Sequence, residues 1–103
     1  MTVKPELSDL FETDDMYSEA IDLWGKRVQT AIAFEEFGEY ISALGRLERY
    51  DETPERLAAL VDETADVLIM LEQVAQMHKI TRDQIAAKYA EKRAQLSKRI
   101  SEG

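Results

Sequence analysis

Three glutamates lie on the apolar face of a helix-forming segment, residues 31–49, and they constrain the fold more than any other feature. A helix advances by about 100° per residue, so Glu35, Glu36 and Glu39 fall within one arc that also holds apolar residues such as Ile32. Burying ionised carboxylates without partners is costly. Either these acids form a solvated face, or the fold brings a partner to them.

A second segment, 54–77, repeats this placement. Glu63 and Asp66 are three residues apart and share a helix face with Met70 and Val74. Packed helices lie about 8–10 Å apart, so carboxylates that reach inward from two such helices could meet around a small volume.

The remaining pattern predicts an all-α fold. Gly25 interrupts the first helical stretch, Thr53 followed by Pro54 is typical of a helix start, and Thr81 followed by Gln84 has capping-box spacing. No segment alternates with period two. We expect an antiparallel helical bundle of about four helices, over 16–24, 27–49, 54–77 and 82–100, with short connections.

The chain of 103 residues is long enough for one domain, which we place at 16–103, after an N-terminal arm at 1–15 that we expect to be loose. A core of this size gains from self-association. The sequence has no cysteine, no signal segment and no apolar run that could span a bilayer, so we expect a cytoplasmic protein without a membrane partner.

The formal net charge of −8 disfavours direct binding to nucleic acid and repels free nucleotides. A polyanionic substrate would need a metal ion as intermediary. The candidate ligands are all carboxylate oxygens, which suit Mg²⁺, with Mn²⁺ as a substitute, and four or five of them are enough for two ions. A di-iron site would need Glu-x-x-His pairs, and His78 has Ala75 three residues before it.

Two stretches together resemble a known family. The sequence "EEFGE" at 35–39 and "ETAD" at 63–66, separated by 23 residues, is similar to the paired acidic motif of the MazG-like, all-α nucleoside triphosphate pyrophosphohydrolases. The segment "WGKRVQTAIAFEEFGEYISAL" and the tail "KYAEKRAQLSKRI" resemble the small phage-type members in particular.

This resemblance implies a specific reaction. Members of the family hydrolyse nucleoside triphosphates between the α and β phosphates, which yields a nucleoside monophosphate and pyrophosphate. Mg²⁺ ions held by the acids bind the phosphates, and a metal and a glutamate activate water. Members assemble as dimers or as dimers of dimers, with active sites where subunits meet.

By matching position, the resemblance makes Glu35, Glu39, Glu63 and Asp66 metal ligands. Glu36 is then the second acid of the pair, either a further ligand or the base that activates water, and we favour the base.

Five further residues are candidates for substrate binding, and each has a simpler interpretation. Lys88, Lys92 and Arg99 share one arc of the last helix and could contact the outer phosphates, Lys92 first among them, or form a solvated basic face. Trp24 could stack on a base or pack in a core or subunit interface. Gln29 could bond to the nucleotide or be an exposed helical glutamine.

Two other functions stay open. The chain could be a non-catalytic helical module that associates with itself or with a partner, its acids paired with the basic last helix. It could also be another metal-dependent nucleotide phosphohydrolase, which would release a different product.

Overall fold

Four helices connected by short turns make up residues 9–103, the part of the chain that the computed structural model describes. The helices are α1 (Asp15–Trp24), α2 (Lys26–Arg49), α3 (Pro54–Met77) and α4 (Arg82–Glu102). The predicted all-α class is confirmed, since these residues contain no strand. No helix among them is long and apolar enough to cross a membrane.

The helix ends follow the predicted local signals. Gly25 has a φ of 87°, a left-handed conformation that favours glycine, and it separates α1 from α2. The Thr53 side chain accepts a hydrogen bond from the backbone N–H of Arg56 at the start of α3. Thr81 and Gln84 form the predicted capping box at the start of α4.

The core lies between α2 and α3, which run antiparallel. The direction follows from the contacts: Gln29 near the start of α2 bonds to Gln73 near the end of α3, whereas the acids in the middle of both helices meet each other. The residues buried along this contact include several of small or flexible side chain, namely Ala33, Ala43, Met70 and Met77. Small side chains let two helix backbones approach closely.

Helix α1 and the segment before it pack against the C-terminal half of α3. The Glu72 carboxylate accepts the backbone N–H of Phe11 at 2.9 Å and the Tyr17 hydroxyl at 3.0 Å. The Gln76 side-chain amide accepts a hydrogen bond from the Asp14 backbone N–H and donates one to the Asp14 backbone carbonyl, at 3.0 Å each. Residues 9–14 of the predicted arm are thus attached to α3, and residues 1–8 lie outside the described part.

Helix α4 packs against no other helix among the described residues and contributes none of the buried ones. The apolar stripe of α4, which consists of Ile85, Tyr89, Leu96 and Ile100, is largely open, with Ile100 71% exposed. The radius of gyration is 16.4 Å, against about 13 Å for a compact domain of this length. The projecting helix accounts for an extended shape.

We expect the protein to lose stability as the pH rises from 10.0 to about 12. Burial, followed by the hydrogen bond to Glu72, raises the pKa of Tyr17 from 10.0 to about 12. In this range the unfolded chain has lost the Tyr17 proton while the folded chain retains it, so folding becomes less favourable. Chemical denaturation across this range should show the decrease, by about 1–3 kcal/mol.

The Tyr17→Phe variant should lack that pH dependence, and Tyr50→Phe, which changes an exposed tyrosine, should keep it. Tyrosinate absorbance supplies the second readout. Ionisation of Tyr17 together with the exposed tyrosines would contradict the prediction.

Candidate functional site

The antiparallel pairing of α2 with α3 brings acids from both helices together. One carboxylate oxygen from each of Glu36, Glu39 and Glu63 lies within 4.8 Å of the others. Glu36 and Glu39 are one turn apart on α2, and Glu63 faces them from α3. The sequence therefore predicted correctly that inward-reaching acids of two helices meet.

Asp66 adjoins this group, and Glu35 does not belong to it. The charge of Asp66 acts on both Glu36 and Glu63. Glu35 is exposed and lies outside the three-carboxylate group formed by the described residues. We refer to Glu36, Glu39, Glu63 and Asp66 as the acidic cluster.

Two oxygens of the acidic cluster are buried without a hydrogen-bond partner. They are Oε2 of Glu36 and Oε2 of Glu63, whose side chains are otherwise half-buried. None of the ion pairs formed within residues 9–103 involves the cluster. A buried polar atom left unpaired costs about 1–3 kcal/mol, and more when the group is charged, so a proton or a cation at these oxygens would be stabilising.

Burial raises the pKa of Glu36, and the charges of Glu39 and Asp66 raise it further. Burial likewise raises the pKa of Glu63, followed by the charges of Glu39 and Asp66. Glu36 lies near enough to Asp66, and Glu63 to Glu39, for a shared proton to join each pair. Glu36 and Glu63 can therefore hold protons more readily than isolated carboxylates do.

The cluster also has the chemistry of a site for a hard cation. Its members offer oxygen ligands alone, and the two unpaired buried oxygens are the atoms that a cation would satisfy. The residues that could hold a metal are Glu36, Glu39 and Glu63, with Asp66 beside them. The donor set fits Mg²⁺ or Mn²⁺ better than zinc or copper.

The predicted phosphate-binding residues do not reach the acidic cluster within one chain. Lys88, Lys92 and Arg99 lie on α4, which packs against no other described helix. Lys88 pairs with Glu91 of its own helix at 3.1 Å. A single described chain therefore supplies the acids without the basic residues.

Trp24 and Gln29, the other two residues predicted to bind substrate, lie in contrasting environments. Trp24 ends α1 and is 55% exposed, so its ring is open to contact. Gln29 is only 3% exposed and lies inside the α2–α3 contact, where its Nε2 donates to Gln73 Oε1 at 2.8 Å. The sequence reasoning missed Gln73. The signal was present, because Gln73 lies seven residues after Asp66, on the same helix face.

Comparison of the chain with protein-family models, with curated proteins and with solved structures gave no match.

We expect Glu36→Gln to stabilise the metal-free protein at neutral pH. The folded pKa of Glu36 is raised above its ordinary 4.5, so the stability that protonation contributes is present in acid and is lost as the pH rises through the folded pKa. Glutamine removes the charge and keeps the size. Thermal unfolding in a chelator should show a melting temperature that is higher by a few degrees.

Glu35→Gln is the matched control, since it removes a neighbouring exposed charge outside the acidic cluster, and its melting temperature should hardly change. A loss of stability in Glu36→Gln would mean that the carboxylate has a favourable partner in the folded protein.

Proposed function

We propose that the protein is a Mg²⁺-dependent nucleoside triphosphate pyrophosphohydrolase of the MazG-like kind, which cleaves a nucleoside triphosphate to the monophosphate and pyrophosphate. The observation that carries this proposal is the acidic cluster with its two unpaired buried oxygens at the α2–α3 contact. The resemblance of 35–39 and 63–66 to the family's acidic motif supplies the reaction. The protein would act in the cytoplasm.

Glu39, Glu63 and Asp66 would hold the ion, with Glu35 as a further ligand if its side chain turns inward. Bound Mg²⁺, or Mn²⁺ in its place, would neutralise phosphate charge and make water more acidic.

Glu36 is the residue that we propose as general base. Burial and neighbouring acids raise its pKa, which brings a carboxylate nearer to the range in which a base works at neutral pH. Its Oε2 is buried and has no hydrogen-bond partner among the described residues, so it would take the proton from a water that enters the site with the metal and the substrate. The deprotonated water would form a new bond to phosphorus at the α–β anhydride, whose P–O bond would break, and the monophosphate and pyrophosphate would leave.

Self-association is part of the proposal. Residues 82–102 hold six basic and three acidic residues, a net charge of +3 in a chain whose net charge is −8. One side of α4 exposes Tyr89, Leu96 and Ile100, and exposed apolar residues such as Phe34 and Ile41 lie on α2. Docking of α4 on a second copy would bury both apolar surfaces and join opposite charges.

A homodimer or homotetramer would also account for the separation of acids and bases within one chain. Lys92, with Lys88 and Arg99 beside it, would contact the outer phosphates at the acidic cluster of another copy. Trp24, exposed at the end of α1, is available to stack on a base.

Pyrophosphate release from a panel of ribo- and deoxynucleoside triphosphates in Mg²⁺ tests the activity. We expect turnover that requires the metal and falls by about 10²-fold or more in Glu36→Gln, the range typical of a lost general base. Glu48→Gln, an exposed acid on the same helix, should keep the native rate.

The release of orthophosphate in place of pyrophosphate would identify another nucleotide phosphohydrolase. If no triphosphate is turned over in Mg²⁺ or Mn²⁺, the proposed activity is wrong, and the non-catalytic, self-associating module becomes the better interpretation.

Leu96→Asp should shift the protein toward the monomer, because it places a charge in the exposed apolar stripe of α4. Sedimentation velocity at several concentrations measures the shift, which we expect to be at least about tenfold in dissociation constant. Ala94→Asp adds the same charge on the opposite side of α4 and should associate like the native chain. Equal behaviour of the two variants would exclude the stripe as the interface.

A further inference from the structure

Gln29 and Gln73 are the buried polar residues of the described chain, at 3% and 7% exposure. Their amides are joined by a hydrogen bond of 2.8 Å across the α2–α3 contact. Gln73 Nε2 has only the sulfur of Met70 as acceptor, at 3.8 Å, and Gln29 Oε1 is buried without a donor. An incompletely satisfied polar pair is a poor choice for stability alone, since apolar residues of the same shape would avoid the cost.

The glutamine pair and the acidic pairs share one register. Seven residues separate Gln29 from Glu36 on α2, and seven separate Asp66 from Gln73 on α3. Likewise ten residues separate Gln29 from Glu39, and ten separate Glu63 from Gln73. The glutamine bond therefore lies two helical turns, about 10 Å, from the Glu36–Asp66 pair and on the same face.

Repulsion between the acids opposes this register. If α3 slips by three residues in one direction, Glu36 faces Glu63 while Glu39 and Asp66 lose their acidic neighbours. If it slips by three residues in the other direction, Glu39 faces Asp66 while Glu36 and Glu63 lose theirs. Either slip leaves one close pair of acids in place of two, so repulsion between the ionised carboxylates favours slipping in the metal-free protein.

Both slips break the glutamine bond. One places Gln29 opposite Met70, which offers only a thioether. The other places it opposite Gln76, whose side chain is already bonded to the backbone of Asp14 and, at 2.7 Å, to the Ser18 hydroxyl. A single buried polar contact is a known means of fixing helix register.

We propose that Gln29 and Gln73 are positioning residues that fix the register of α2 against α3 and so hold both acidic pairs face to face. The positioning of a metal site rests on the proposed function, whereas the register can be tested without metal or nucleotide. Gln29 is then an internal structural contact of the site and does not touch the substrate.

Disulfide trapping in this cysteine-free chain tests the register. The pair Ala43→Cys with Ala59→Cys reports the native register, since these positions lie seven residues beyond Glu36 and seven before Asp66. Ala43→Cys with Asp62→Cys, or with Arg56→Cys, reports the two slipped registers. Rates of cross-linking are measured by mass spectrometry in a chelator under mild oxidation.

Each cysteine pair is placed in two backgrounds, the native chain and the double variant Gln29→Met with Gln73→Met. The double variant keeps the side-chain length and removes the hydrogen bond. We expect the native-register pair to cross-link at least about tenfold faster than either slipped pair in the native background. In the double-methionine background, at least one slipped pair should approach the native-register rate, while the melting temperature stays equal or rises. A purely structural role would instead lower the melting temperature and leave the rate ratio unchanged, which would overturn the proposal.

Gln29→Asn is the second variant, for use if the double variant does not fold, and it breaks the same hydrogen bond by shortening one side chain. It should lower the ratio of native-register to slipped-register cross-linking rates. An unchanged ratio counts against the proposal.

Mn²⁺ binding tests whether the register of α2 against α3 serves to position the metal ligands. We expect the double-methionine variant to bind Mn²⁺ about tenfold more weakly, the size of effect typical of lost support around metal ligands. Unchanged Mn²⁺ affinity in a variant that has lost its register would overturn the positioning role. Because trapping uses neither metal nor nucleotide, failure of the pyrophosphate assay leaves the register result intact.

Discussion

Repulsion among four carboxylates at one helix contact is the constraint on which the rest of the structure depends. Glu36 and Glu39 on α2 face Glu63 and Asp66 on α3, and two of their oxygens are buried without a partner. Helices that met only through such acids would separate. The small and flexible buried residues and the glutamine bond offset that repulsion, so α2 and α3 stay packed beside acids of which Glu39 and Asp66 are exposed.

The molecule divides into two parts of opposite character. Helices α1 to α3 form the packed, acidic part, and Glu72 and Gln76 attach the chain before α1 to the end of α3. Helix α4 is basic and amphipathic, and it lies outside the packed part. The first part exposes acidic and apolar side chains, and α4 exposes basic and apolar ones. This complementarity is the physical basis of the proposed association between copies.

Local chemistry made the helices predictable. Gly25, Thr53 and Thr81 mark chain positions where the backbone must break or be capped, and such signals act within a few residues. The meeting of acids followed from helical spacing. The sequence could not predict that Glu35 lies outside the cluster or that Gln29 pairs with Gln73, because side-chain partners depend on interhelical register. The sequence also could not place α4. Its apolar stripe predicts that one side of the helix is buried, but it does not identify the surface that covers it.

Helix α4 packs against no other described helix, so a small tilt at the junction before it would move its far end by a larger distance. Lys79 has a φ of 57°, a conformation uncommon outside glycine, and the Arg82–Glu12 ion pair of 2.8 Å is a surface contact across this junction. Helix α4 has 21 residues, so a tilt of about 10° at its base moves its far end by about 5 Å. Because salt screens exposed ion pairs, the Arg82–Glu12 contact weakens as the ionic strength rises.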